Sequence, residues 1–181
     1  MSCDISRGRI EPCKENVGGI AAVYIVNQNE LGTISYDSTD EDVVETVSGT
    51  PSAYKFAVKG ASTYTETPTS SREAGTTYFE QVLELQLPRL SKEDHKTIKL
   101  LSFGHPHIII EDNNHNLLLA GIEYGMDVTG GSIVTGSGMG EFQGYNLTFT
   151  GMERIPANFI VSDGDTISAL TAAGFTVVEG S

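Results

Sequence analysis

Tryptophan is absent from the chain, and only two cysteines occur in its 181 residues. Cys3 and Cys13 both stand in the first thirteen positions and would close a small loop, so a disulfide framework is excluded as the basis of the fold. Free thiols are the expectation. Basic residues are scarce as well, with 11 Lys and Arg against 24 Asp and Glu and a net charge of −13. Nucleic acid and anionic membrane surfaces both select a basic footprint, so neither is expected as a specific partner. No apolar run approaches the ~20 residues of a membrane-spanning helix. The opening "MSCDISRGRIEPC" has no apolar h-region, so export by the Sec route is not expected, and the sequon at Asn146 has no evident role.

Glycine (20 residues), Ser and Thr are abundant, and Val, Ile and Leu fall in short runs. This composition suits a sheet protein with many turns. The length suits one domain, 1–181, because no linker divides two apolar blocks. Residues 1–17 read as a polar arm. Apolar or alternating segments at 19–27, 31–37, 53–62 and 77–90 read as strands, the last with a bulge near Gln81–Val82. Residues 38–49 are an acidic loop or a short strand around Val43 to Val47. Residues 62–76, rich in Ser and Thr without apolar periodicity, are expected to form a long inter-strand loop.

"SKEDHKTIKLLSFG" carries the strongest helical pattern, expected over 91–103. Ser91 and Asp94 supply a capping-box-like start, Ile98 and Leu101 (with Leu90) an apolar stripe, and Gly104 and Pro106 the stop. Lys92, Lys96 and Lys99 share another face. Residues 107–125 read as strand, "NNHN" turn and strand. Two further strands flank "GSGMGE", a short helix is expected over 165–174 capped by Asp165 or Thr166, and "FTVVEG" is a last strand or tail. The fold class is therefore mainly β, a β-sandwich or barrel with one flanking helix.

No catalytic, cofactor or metal residue is assigned. Gly136, Gly138, Gly140 and Gly144 match neither the P-loop nor the dinucleotide spacing, and they lack the following helix and lysine. They are expected to serve the backbone at a hairpin end. His105 and His107 form an H-x-H pair that Glu111, Asp112 or His115 could supplement, but no third ligand stands at a clear spacing. Ser52 and Lys55 spell S-x-x-K at a strand start without the partner motifs of acyl-transfer enzymes. Exposed-looking aromatics are few, Tyr64 and Tyr78 being the loop candidates.

The order of these elements resembles the tail tube proteins of long-tailed bacteriophages: arm, buried strand, Ser/Thr-rich excursion (62–76), helix (91–103), and the late hairpin "EYGMDVTGGSIVTGSGMGEFQGYNLTFTGMERIPANFI". The opening "CDISRGRIEPCKENVGGIAAVYIVN" is similar to virion proteins of phages of Bacteroidetes-type hosts. The resemblance implies a structural virion protein without enzymatic activity or cofactor. Its β domain would self-assemble into stacked, hexameric rings that conduct DNA without binding it specifically. Partners would be other copies of itself and other tail proteins such as a terminator, baseplate or hub, and sheath. It implies localisation in the virion tail, with no membrane partner. Residues 62–76 and 1–17 would then carry ring-to-ring contacts. The acidic loop 37–45 with Glu80, Glu84 and Glu123 would line the lumen, and Lys92, Lys96 and Lys99 would face away from it. Alternatives are another virion ring (terminator, head–tail connector or baseplate), a β-sandwich binding or decoration module, and a metal-dependent enzyme built on His105 and His107.

Overall fold

The computed structural model describes residues 7–11, 14–58, 61–162 and 164–180; Cys3, Cys13 and Lys59 lie outside them. The chain is mainly β. Its strands are β1 (Ile20–Val26), β2 (Ile34–Tyr36), β3 (Val43–Val47), β4 (Ser52–Ala57), β5 (Thr63–Ser71), β6 (Thr76–Pro88), β7 (His107–Asp112), β8 (Leu117–Ala120), β9 (Asp127–Val134), β10 (Gly144–Glu153), β11 (Asn158–Ile160) and β12 (Thr176–Glu179). The helices are α1 (Lys92–Leu101) and α2 (Thr166–Ala172). Eight strands form one sheet in the order β12-β4-β1-β7-β8-β11-β3-β2, and four form a second in the order β5-β6-β10-β9.

The large sheet is buried on both faces at its centre. That is why β1 and β7 read as continuous apolar runs rather than as alternations. Val23, Ile25, Ile108 and Ile110 face the small sheet, where they meet Leu83, Leu85, Leu147 and Phe149. Tyr24, Val26 and Ile109 face the other way, onto Leu170, Ala173 and Phe175 of α2 and its exit. Helix α1 closes one end of the inter-sheet core with Ile98. It starts where its residues demand, with the Ser91 hydroxyl accepting the Asp94 N–H.

The large sheet cannot be flat. β3 and β4 are consecutive, joined by residues 48–51, yet five strand positions separate them. Five spacings amount to about 24 Å across a flat sheet, whereas the link reaches about 17 Å. The sheet therefore rolls until β3 and β4 approach each other, and α2 with β12 fills the seam. Val47 N–H donates to the Ala173 carbonyl (2.9 Å) on one side, and Thr176 N–H donates to Pro51 (2.9 Å) on the other. Contact at the link is tight, since a Cβ on Gly49 would stand 1.8 Å from the Glu30 carbonyl oxygen.

Several expectations are corrected. Residues 62–76 are not a loop. They are β5, paired along its whole length with β6, plus a turn at 72–75. An edge strand needs little apolar patterning, and Thr is β-branched, so the segment has strand propensity without the usual alternation. No bulge interrupts β6 at Gln81–Val82, where the register runs on unbroken against both neighbours. The apolar period breaks there because Gln81 is a buried polar residue on the inner face. Irregularities occur instead in β1 near Ile20, in the β2–β3 pairing at Ser35–Tyr36 and in the β9–β10 pairing at Thr148–Phe149. The strand expected over 31–37 shortens to β2, and Val43 to Val47 is a strand. Asp165 stands at the N-cap of α2, but its carboxylate takes the Ser168 hydroxyl instead of a backbone N–H.

Candidate functional site

The small sheet presents its other face to solvent. With Leu83, Leu85, Tyr145, Leu147 and Phe149 turned inward, alternation places Glu80, Val82, Glu84 and Gln86 of β6 outward. Asn146, Thr148, Thr150 and Met152 of β10 point the same way. On β5, Thr63, Thr65 and Thr67 stand opposite Glu84, Val82 and Glu80. None of the residues in these four strands is Lys or Arg. The face is therefore broad, hydroxyl-rich and anionic, without a cation to hold a phosphate. Of the carboxylates expected to share one wall, Glu80 and Glu84 lie here together. Glu123 sits in the loop after β8, 3.5 Å from the Arg154 guanidinium, and residues 37–45 belong to the large sheet's β2–β3 margin.

Both edges of this sheet are open among the described residues: β5 pairs only with β6, and β9 only with β10. Each is eight or nine residues long, enough to template a further strand. Ile133 on β9 is half exposed, and Met139 at the tip of the following loop is fully so.

That tip contains the glycine-rich stretch. Gly136 has φ +69° and requires glycine's freedom, while Gly144 abuts β6 so closely that a Cβ would meet the Leu87 carbonyl oxygen at 2.1 Å. Neither Gly138 nor Gly140 has a positive φ, a Cβ at Gly138 would meet only the Glu141 side chain at 3.8 Å and one at Gly140 nothing within 4 Å, so for them the expected backbone role does not hold. The Ser137 N–H and hydroxyl both donate to the Glu141 carboxylate (2.6 and 2.9 Å), which holds that carboxyl below its usual range. The tip's own carboxylate thus occupies the donors an external anion would want.

The two histidines of the H-x-H pair take different partners. His105 bonds Asp127 of β9. His107 is buried and its Nδ1 engages the Gly121 carbonyl at 2.5 Å. His115 lies at positive φ in the "NNHN" turn, 3.6 Å from Glu111. Among the described residues no three metal-ligating side chains converge. Ser52 and Lys55 point into no shared site: Lys55 pairs with Glu179 of β12 at 2.7 Å.

A comparison with protein-family models, curated proteins and solved structures finds no match.

Sequence reasoning missed that four buried polar side chains, Gln81, His107, Glu111 and Glu153, pin the layers together. Gln81 accepts the Gly121 N–H (2.9 Å), and Glu153 accepts those of Glu123 and Tyr124. With His107 they fasten the loop 121–126 between the two sheets. Glu111 accepts the Tyr24 and Thr166 hydroxyls (3.0 and 2.7 Å), joining β7 to β1 and α2 and helping to raise the Tyr24 pKa, chiefly through burial. The half-buried Glu66 adds a further tie by accepting the Ala157 N–H. The signal available was a polar residue at an inward position, as with Gln81 between Phe79 and Leu83. Exposed aromatics were also underestimated. Tyr54, Phe103, Tyr124 and Phe159 are exposed, while Tyr64 and Tyr78 are half-buried strand residues.

His107 gives a pH test of this pinning. Burial lowers its pKa, outweighing the opposing Gly121 bond. A depressed folded pKa contributes stability that is present above the unfolded value, ~6.5, and lost as pH falls through the folded one. Melting curves of the wild type and of His107→Gln should therefore converge as pH drops from about 7.5 to about 5. A gap that stays constant or widens on acidification would refute this role.

Proposed function

We propose that the chain is a structural subunit of a virion tail that self-assembles, without catalysis, into stacked, hexameric rings through which DNA passes. The carrying observation is the small sheet, with two long open edges and a solvent face that lacks any cation. Pairing β9 of one copy with β5 of the next continues the sheet from subunit to subunit. Such a heterologous contact generates a closed ring when the rotation closes. The continued face then becomes the wall of a channel, with Glu80 and Glu84 repeated around it. A wall of threonine hydroxyls and carboxylates repels phosphate and lets DNA slide. The mainly β fold with its flanking helix agrees with the tail-tube resemblance of the sequence. Another virion ring, such as a terminator or connector, would use the same edges and remains the second reading on this ground.

Negative-stain images of the concentrated protein should show rings or tubes; a monodisperse monomer across salt and concentration rejects the proposal. The lining has its own test. Tubes of the Glu80→Lys/Glu84→Lys variant should retain duplex DNA on a filter at low salt while wild-type tubes do not. Equal retention would remove these residues from the lumen.

A further inference from the structure

Helix α1 is held by little of its surface. Ile98 alone of its ten residues is buried, with Leu101 half-buried beside it. Lys92, Lys96 and Lys99 stand at i, i+4 and i+7, and form one stripe on the side turned away from Ile98. Among the described residues none of the three pairs with a carboxylate, nor does Arg89 just before the helix. Of the helix's own carboxylates, Asp94 turns to the buried side and accepts the Ser91 hydroxyl at 2.6 Å, while Glu93 flanks the stripe. At the C-terminal end of the stripe, Leu100 and Phe103 are 64% and 80% exposed. Arg89, Lys92, Lys96 and Lys99, out of 11 basic residues in the whole chain, thus lie together beside two large apolar side chains left in solvent.

The complementary surface is on the same chain. No Lys or Arg stands between Lys14 and Lys55, and the loop from β2 to β3 carries Asp37, Asp40, Glu41 and Asp42. Hydrogen bonds fix its shape. The Asp37 N–H donates to the Val43 carbonyl (2.9 Å) and the Val43 N–H to that of Asp40 (3.1 Å), while the Asp37 and Asp40 carboxylates accept the Thr39 and Asp42 N–H. Glu41 and Asp42 are exposed, and among the described residues no cation pairs with either. The half-exposed Phe159 borders the loop, its N–H donating to the Asp42 carbonyl at 3.2 Å. The two surfaces lie at opposite ends of the small sheet's long strands. α1 follows the end of β6 at Pro88, where the Tyr145 hydroxyl reaches the Ser91 carbonyl. The loop is bonded to Asn158, shortly past the end of β10 at Glu153, through the Asn158 side-chain amide and the Asp42 carbonyl (3.0 Å). Gly144 opposite Pro88 and Glu153 opposite Phe79 mark those ends, about 30 Å apart.

We infer that the lysine stripe of α1 docks on the acidic β2–β3 loop of a second copy of this chain, with Leu100 and Phe103 against Phe159. The inference rests on the reading of the chain as a self-assembling subunit and names a contact distinct from the β5 and β9 edges. The contact is head to tail, because each copy offers a cationic surface at one end and an anionic one at the other. Rings closed through β5 and β9 carry opposite strand ends on opposite rims. The contact therefore joins one ring to the next, gives the stack a direction, and takes residues 37–42 out of the lumen. One exposed ion pair contributes little, but several acting together steer the encounter and fix its orientation. A loop whose shape is already set loses little freedom on docking.

Charge reversal in two halves tests it. One variant carries Lys92→Glu/Lys96→Glu, the other Glu41→Lys/Asp42→Lys. All four side chains are exposed, so both variants should melt as the wild type does. In sedimentation at low salt, each variant alone should need about tenfold more protein to associate. Mixed one to one, they should return to within about threefold of the wild type, since each helix then meets a loop of opposite charge. Association of either variant as readily as the wild type overturns the inference, and so does a mixture of folded variants no better than its parts. A carbodiimide, which couples an amine to a touching carboxylate, reads the unaltered chain independently. In a mixture of isotopically heavy and light copies it should join Lys92, Lys96 or Lys99 of one to Glu41 or Asp42 of another, and absence of that link also overturns the inference. The outcome separates from that of the proposed function. Association restored by mixing but without rings upholds the contact and rejects the tube. Tubes formed unchanged by either variant uphold the tube and reject the contact, and a wild type that stays monomeric rejects both.

Discussion

Replacing Gly144 with alanine should destabilise the folded chain by about 3 kcal/mol, whereas alanine at Gly140 should change stability by less than about 0.5 kcal/mol. Both glycines belong to one loop-and-strand segment, and the sequence offers no ground for separating them. At Gly144 the added methyl would stand 2.1 Å from the Leu87 carbonyl oxygen and 3.0 Å from the Pro88 Cα. These are backbone atoms of the paired strand β6, where Gly144 lies opposite Pro88. No side-chain rotation relieves the contact, so β6 and β10 must separate at the end that α1 closes. The Tyr145 hydroxyl, bonded to the Ser91 carbonyl at 3.0 Å, would move with them. At Gly140 nothing stands within 4 Å. Urea unfolding of the two variants decides the matter, and similar midpoints would show that the close approach is not a constraint.

The second large effect concerns assembly. Ile133→Lys should leave the melting temperature of the subunit nearly unchanged and raise the concentration needed for ring formation by about tenfold or more. Ile133 stands opposite Tyr145 on β9, half exposed at the open edge, so it contributes little to the private core. A lysine there puts a strongly hydrated ammonium into the strand-to-strand seam, the same device by which natural edges resist pairing. Sedimentation and negative-stain imaging read the result. Normal rings from this variant would exclude β9 as the ring-closing edge, while a variant that fails to fold would contradict the exposure on which the argument rests.

The elements legible in advance were those whose local chemistry agrees with their surroundings. Helix α1 announces itself through Ser91, Ile98 and Gly104, and the buried strands β1 and β7 through unbroken apolar runs. β5 was illegible because it has a neighbour on one side only, and its exposed threonines resemble loop composition. Gln81 misled for a different reason. A buried polar residue at an inward position reads as a slip of register until its partner, the Gly121 N–H, is in view. That partner is forty residues away, and no local pattern connects them. The candidate surface divides the same way: Glu80 and Glu84 share one strand and could be placed together by alternation, whereas the positions of Glu123 and residues 37–45 depend on which sheet each segment joins.

The filled seam of the large sheet has a consequence for biosynthesis. β3 and β4 leave the ribosome well before the segment that bridges them, 165–179. Until that segment has emerged, the sheet stands open, with Ala53, Val47 and Val44 lacking the cover that Leu170, Ala173 and Phe175 give them. Contacts between such distant parts of a chain form slowly, and an open apolar sheet in the meantime is a substrate for chaperones. The roll therefore closes only once residues 165–179 are clear of the ribosome, and the final shape of the large sheet is set by a segment made long after the strands it joins.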